Sequence, residues 1–247
     1  MKLEGITAVV TGSTGGLGSA IALAVADAGC DCVCHYHANK ARADRLVEQI
    51  RATGRSAIAL PADLTRPDEI ASLMEQARSL GPVRVLINSA AVFAREPIET
   101  VAFDAAQKTL AINLIAPMLA ARGFAQIIRE EVADAPPPAG KIINLVDVGG
   151  IRPWAGYTVY CASKAGLVSV TKSLAKELLP AITVNAVAPG LVSWPKHFSD
   201  DEKARQLKQV PMKRMAEPAE ITEAVIFLLK NDYVTGQILS IDGGRSI

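Results

Sequence analysis

Ile6-Thr7-Ala8-Val9-Val10-Thr11-Gly12-Ser13-Thr14-Gly15-Gly16-Leu17-Gly18 decides the fold of this chain. Ile6–Val10 is a short β-rich run and the glycines come directly after it. Ser19–Ala28 is then alanine-rich with helical apolar spacing, closed by Gly29. Strand, glycine-rich turn and helix, in that order, are the context a dinucleotide fingerprint requires. Glycines let the backbone turn sharply and let a diphosphate approach the helix N-terminus, whose free N–H groups favour anions. On that reading Gly12, Ser13, Gly16, Leu17 and Gly18 bind cofactor. A tight turn without a ligand would use the same glycines, so the reading depends on the rest of the chain.

Downstream the same alternation repeats. Cys32–Tyr36, Ser56–Leu60 and Val83–Ile87 read as strands, with helices at Lys40–Thr53 and Pro67–Ser79 between them. Leu110–Glu131 reads as one long helix interrupted or bent near Pro117, which lacks an N–H. Asp134–Gly140 is a proline-rich surface loop. Lys141–Val146 and Ile182–Ala188 are strands flanking a helix at Tyr160–Leu179, and Pro218–Leu229 and Gln237–Ile241 are the last helix and strand. Such alternation with short connections predicts a doubly wound α/β fold, a parallel sheet covered on both faces, in a single domain spanning residues 1–247. Composition agrees: half the residues are apolar but only 4% are aromatic, so the core is built of Ala, Val, Leu and Ile.

A net charge of +1 argues against nucleic-acid and anionic-membrane partners. No apolar run approaches the roughly 18 residues of a membrane span, and Met1-Lys2-Leu3-Glu4-Gly5 does not open like a signal peptide, so a cytoplasmic location is expected. Cys30, Cys32 and Cys34 are read as small buried hydrophobes. Cys30 and Cys34 are expected on one face of their strand with Cys32 on the other, so no metal site is expected there. Nothing marks Cys161 as reactive.

In a doubly wound sheet the ligand lies at the carboxyl ends of the strands. After the second strand come His35-Tyr36-His37-Ala38-Asn39-Lys40, without Asp or Glu. A carboxylate there would grip the adenosine ribose of NAD and repel a 2′-phosphate. Its absence, beside His37, Asn39 and Lys40, points towards NADP(H), with NAD as the alternative; Lys40 would otherwise simply open a solvated helix. After the third strand, Asp63-Leu64 offers a carboxylate to an adenine amino group, or else a turn or cap residue. After the fourth, Asn88-Ser89-Ala90 is small enough for cofactor to lie against the backbone, and Phe93 either packs in the core or stacks on a flat substrate. Pro189-Gly190 ends the sixth strand. Leu191–Arg214, with Val192 and Trp194 near its start, suits a substrate lid or else a surface insertion. His197 has no nameable partner and is not assigned to catalysis.

Tyr157-Thr158-Val159-Tyr160-Cys161-Ala162-Ser163-Lys164 opens a helix. Tyr160 and Lys164 then lie one turn apart on one face, and a phenol beside an ammonium is more acidic than a free one. Such a phenol can exchange protons near neutral pH.

Together, Thr11-Gly12-x-x-x-Gly16-x-Gly18, Asp63-Leu64, Asn88, Asn113, Tyr160-x-x-x-Lys164 and Pro189-Gly190 resemble the short-chain dehydrogenase/reductase family over essentially the whole chain. The resemblance implies a Rossmann fold, a homotetramer, and hydride transfer to or from a nicotinamide. It also implies Tyr160 as acid/base, Lys164 as the group that lowers its pKa and binds the nicotinamide ribose, and Asn113 as the holder of a relay water.

Two positions depart from the family pattern. Asn88-Ser89-Ala90-Ala91 stands for the usual Asn-Asn-Ala-Gly, and Asp147 stands thirteen residues before the tyrosine, where the family has a catalytic serine. An ionised carboxylate cannot donate a hydrogen bond to a carbonyl and repels a developing oxyanion. It suits a substrate that takes a proton on nitrogen. Asn144-Leu145-Val146-Asp147, Gly156-Tyr157-Thr158-Val159-Tyr160 and His35-Tyr36-His37 resemble the pteridine reductases and dihydromonapterin reductases, in which an aromatic at the position of Phe93 sandwiches the pterin against nicotinamide. Those enzymes carry an arginine where this chain has Gly16, and usually another where it has Ala38. The resemblance therefore implies an NADPH-dependent reductase of a pteridine-like C=N bond, with Asp147, Phe93, Tyr160 and Trp194 around the substrate. The alternatives are a carbonyl reductase acting on 3-oxoacyl thioesters and a non-catalytic nucleotide sensor.

Overall fold

The computed structural model describes residues 1–132, 136–194 and 198–247. His197 and part of the proline-rich loop fall outside the described residues.

Among the described residues, seven strands form one parallel sheet: β1 (Thr7–Thr11), β2 (Asp31–Tyr36), β3 (Ala57–Pro61), β4 (Val83–Asn88), β5 (Gly140–Leu145), β6 (Ile182–Pro189) and β7 (Ile238–Ile241). Their spatial order is β3-β2-β1-β4-β5-β6-β7. The chain winds outward one way from β1 and then the other way from β4, so a crevice opens between those two strands, where the order reverses. Strands β1, β2, β5 and β6 are almost wholly buried, as strands covered on both faces must be.

Helices cover both faces of the sheet. On one lie α1 (Gly16–Asp27), α2 (Lys40–Ala52) and α8 (Pro218–Lys230), packing Ile21, Val25, Leu46, Ile221 and Leu228 on Val10, Val85 and Ile143. The other face holds α3 (Pro67–Ala77), α5 (Ala116–Glu131) and α6 (Thr158–Glu177), with Leu73, Phe124, Ile127 and Ala175 against Val9, Leu86 and Ile142. The remaining α-helices of the described residues are α4 (Phe103–Leu110) and α7 (Asp200–Lys208). The alternation of side chains along β2 sends Val33 into the second layer and Cys32 and Cys34 into the first.

Cys30 joins them, which corrects the expectation that Cys32 faces away from the other two. Residues two apart share a face of a strand. All three thiols are buried, and desolvation pushes Cys30 and Cys34 up to about 12. The expected helix over Leu110–Glu131 also differs. Helical structure starts earlier, at Phe103, and the interruption expected near Pro117 is a π-helical turn at Ala111–Ile115, directly before Ala116-Pro117. Pro117 has no N–H to give the Asn113 carbonyl one turn back, so regular α-helix resumes only beyond that turn. Phe103–Glu131 is long and apolar enough to cross a membrane, yet half of its most apolar window is buried inside the fold, as in a core helix.

Candidate active site

The carboxyl ends of the strands open into one continuous cavity of about 1560 Å³. It runs from the glycine turn, past His37 and Asp63, to Tyr160, Trp194 and Arg245.

At the first end, the chain leaves β1 through Gly12 at φ +66°, and a Cβ there would sit 2.6 Å from the Ala90 backbone. A Cβ on Gly18 would collide with the Gly12 carbonyl, so both positions exclude side chains. Gly16 is different: a Cβ there meets nothing and would project into open space. Helix α1 starts with no side-chain cap and no acidic residue in its first turn. Its orphan N–H groups, aimed into an open cavity, fit a diphosphate.

His35 fastens this turn. Its Nδ1 accepts from Gly12 N–H at 2.9 Å and its Nε2 donates to the Ala62 carbonyl at 3.0 Å, while its own carbonyl accepts from Ser13 N–H and Ser13 Oγ. Burial lowers the imidazole pKa, so the ring is neutral, with its proton on Nε2. On sequence alone His35 is only one of two histidines near the cofactor. The signal for its role is the buried imidazole on a strand beside the turn.

Further along, Asp63 accepts from Thr65 N–H and Oγ1, which lower its pKa, and lies 3.9 Å from the exposed His37. Leu64, Ser89 and Ala90 also line the cavity. Five expected site residues do not. Ser13 is turned inward onto His35. Asn39 caps α2 by accepting from Arg42 N–H, and Lys40 pairs at 2.8 Å with Asp44 one turn on, so both belong to the solvated start of that helix. Asn88 donates to Asn144 Oδ1 at 2.9 Å, beneath the cavity floor. Asn113, wholly buried in the π-helical turn, accepts from Val92 N–H and donates to the Val92 carbonyl and Ser163 Oγ. It clamps the segment after β4 to α6 rather than facing the cavity.

At the far end, α6 presents Tyr160 and Lys164. Tyr160 Oη donates to Asp147 Oδ2 at 2.9 Å, and Asp147 Oδ1 accepts from Gly149 N–H at 2.7 Å. Burial raises the Asp147 pKa, although the Gly149 and Tyr160 hydrogen bonds and the Lys164 charge pull it down. Tyr160 is also shifted well upward, by burial first and then by the Asp147 carboxylate. This corrects the expectation of an acidified phenol. The Lys164 ammonium sits 5.9 Å from the Tyr160 ring centroid and donates to the Leu145 carbonyl at 2.8 Å, while the carboxylate touches the hydroxyl directly. Burial also lowers the Lys164 pKa to about 8.

An aromatic wall surrounds the pair. Phe93, 43% exposed, stacks on Tyr157 at 5.1 Å and meets the Tyr160 ring edge-on at 4.8 Å. Trp154 stacks on Tyr160 at 6.3 Å and carries the Arg245 guanidinium 5.0 Å from its ring. Pro189, Gly190, Val192 and Trp194 close the cavity after β6. Trp154 and Arg245 escape a reading of the sequence, since nothing local distinguishes a residue delivered to a site by a distant loop or chain end.

A family model described as enoyl-(acyl carrier protein) reductase matches residues 12–246. The 3-oxoacyl-(acyl-carrier-protein) reductase FabG of Staphylococcus epidermidis is 33% identical over 245 residues, covering 96% of this chain and 98% of that protein. A blue fluorescent protein from a metagenomic library, solved in complex with NADPH, superposes with a TM-score of 0.88 at 33% identity, over 100% of both chains. FolM alternative dihydrofolate reductase 1 from Brucella canis, complexed with NADP, does so with a TM-score of 0.90 at 26% identity, over 99% of this chain and 95% of that one. Matched along nearly its whole length in sequence and fold, the chain belongs to the short-chain dehydrogenase/reductase family of nicotinamide-dependent oxidoreductases.

Proposed function

We propose that this protein is an NADPH-dependent reductase of a flat, pteridine-like substrate, adding a proton to nitrogen as a C=N bond is reduced. The observation that carries this reading is the 2.9 Å hydrogen bond between Tyr160 Oη and the buried carboxyl group of Asp147. A carboxylate there opposes the negative charge that grows on a ketone oxygen during reduction. A nitrogen that is protonated as it is reduced develops no such charge.

When bound, the nicotinamide supplies the hydride to the ring carbon. Tyr160 gives its phenolic proton to the adjacent nitrogen, so C=N becomes CH–NH with one hydride and one proton consumed. Asp147 accepts the phenolic hydrogen bond and so orients that proton, and solvent entering through the open cavity reprotonates the phenolate. Lys164 holds a positive charge against both. Phe93 offers an aromatic face to the substrate, and Tyr157 backs it. Asn113 serves the relay indirectly, through Ser163 and the backbone of Val92.

Cofactor occupancy follows from the same cavity. The glycine turn and α1 would hold the diphosphate, Asp63 the adenine, and Pro189, Gly190 and Val192 the nicotinamide, with Trp194 on the proposed lid. No carboxylate comes directly after β2 to repel a 2′-phosphate, and His37 stands there with most of its surface exposed. The NADP and NADPH found in related structures support that preference, with NAD as the second cofactor to test. Apolar side chains exposed along α4 and α5, Phe103 and Met118 among them, are consistent with a homotetramer. The four free cysteines suit a cytoplasmic location.

Similarity to 3-oxoacyl-(acyl-carrier-protein) reductases favours a second reading, a carbonyl reductase in which a protonated Asp147 donates to the ketone. Steady-state assays with dihydrobiopterin and with an acetoacetyl thioester, each with NADPH and NADH, separate the two. Turnover of dihydrobiopterin with NADPH is expected. Turnover of the thioester alone overturns the pteridine reading.

A further inference from the structure

The glycine turn brings no cation to the substrate end of the cavity, since Gly16 and its neighbours there carry no charge. Lys164 is committed to the Leu145 carbonyl beneath the site. Arg245, just beyond the end of β7 in the last turn of the chain, is a lining guanidinium placed there by a different route. Three contacts hold it. Its guanidinium lies 5.0 Å from the Trp154 ring, and Nη2 donates to Gln206 Oε1 on α7 and to Gln209 Oε1, the latter at 3.3 Å. Among the described residues only Nη2 is engaged, which leaves Nε and Nη1, on different sides of the guanidinium, each as a single charged donor.

The place of Arg245 in the cavity is set by its neighbours. Trp154 also stacks on Tyr160, so the guanidinium and the proton donor share one wall. Arg245 and Asp147 each feel the other's charge. In a 7,8-dihydropterin, the C4 carbonyl lies alongside N5, the nitrogen that receives the proton when C6=N5 is reduced, on the same edge of the bicycle. A substrate whose nitrogen meets Tyr160 therefore turns its carbonyl oxygen towards the Arg245 side.

We propose that Arg245 is the specificity-determining cation of this site, donating to the ring-carbonyl oxygen of the substrate while its bonds to Gln206 and Gln209 hold α7 closed over it. The inference rests on the pteridine reading above and names what selects within that class. A 4-amino pteridine has no acceptor there, so it loses this contact and presents N–H groups to a cation instead.

The test is calorimetric titration of the NADP-loaded protein with pterin and with 2,4-diaminopteridine, for wild type, Arg245→Met and Arg245→Lys. A charge-assisted hydrogen bond predicts that Arg245→Met weakens pterin binding by roughly tenfold or more. The diamino compound should change by less than about threefold, so the preference between them shifts towards it. A merely structural residue would weaken both alike. Arg245→Lys, which keeps the charge without the planar guanidinium, should fall between. Should Arg245→Met not fold, Gln206→Leu/Gln209→Leu provides the second reading, with a KM for dihydrobiopterin raised several-fold at nearly unchanged kcat. Equal losses for both ligands, or unchanged pterin binding, overturn the role of Arg245 while leaving the pteridine reading intact. Failure of the wild type to bind or reduce any pterin removes both.

Discussion

Tyr160 gives its hydroxyl hydrogen to Asp147, 2.9 Å away, and not to a serine or a carbonyl group. In the proposed mechanism proton transfer therefore belongs to a pair of groups, each of which makes the other's ionisation more or less costly. Changing either member tests what the pair does.

Tyr160→Phe removes the transferable proton and leaves the ring stacked on Trp154. Reductase turnover should fall by roughly 10²–10⁴-fold. NADPH affinity, followed by nucleotide fluorescence, should stay within about threefold. Retention of near wild-type turnover would identify another proton donor.

Asp147→Ser replaces an acceptor that repels oxyanions by a hydroxyl that can donate. The ratio of thioester-ketone activity to pterin activity should rise by about tenfold or more, read as relative kcat/KM on the two substrates. A ratio moving the other way would mean that Asp147 assists ketones.

Lys164 carries its charge below about 8 and loses it above. Below that value the ammonium offsets Asp147 and any phenolate formed on Tyr160; above it, two acidic groups face each other without a counter-charge. The kcat profile should therefore decline on its alkaline side through about pH 8. Lys164→Arg stays charged throughout and should displace that limb upward; a limb that stays put belongs to some other group.

His35→Leu leaves the Gly12 N–H without its acceptor, a loss of about 1–3 kcal/mol for a buried donor. The melting temperature should drop and NADPH binding should weaken several-fold. The wild type carries a related acid sensitivity. Burial lowers His35 below its ordinary 6.5, so the unfolded chain takes up the proton more readily than the native one. Stability should be complete above about pH 6.5 and decline as pH falls from there towards the folded value. Urea midpoints measured across that range, with His35→Leu showing a flatter profile, check the assignment.

The sheet and its order of elements were legible because apolar runs such as Val83–Ile87 and Ile182–Ala188 have strand length, and Gly29 and Gly54 punctuate the helices. Tyr160, Lys164 and the glycine turn were legible as cavity residues because their placement depends on neighbours within a turn or two. What escaped was set by tertiary placement. The effect of Asp147 on Tyr160 depends on contact across thirteen residues of chain. Lys40 looked available to a phosphate until Asp44 came round one helical turn later. Arg245 arrives from the other end of the chain and gives no local sign of its destination.

Thr11, Asn88 and Asn144 stand level with one another on three adjacent strands, and Asn144 goes on to bond Thr171 of α6 at 2.9 Å. This polar thread ties the strand that launches the glycine turn to the helix that carries Tyr160 and Lys164. In the proposed mechanism the two halves of the reaction, hydride and proton, are thus delivered from one frame whose spacing is set before any ligand arrives. The pieces proposed to face the substrate's outer edge, α7, Trp194 and Arg245, hang from other connections. Substrate range can therefore be rewritten in those pieces, by mutation or by selection, without retuning the distance over which the chemistry is timed.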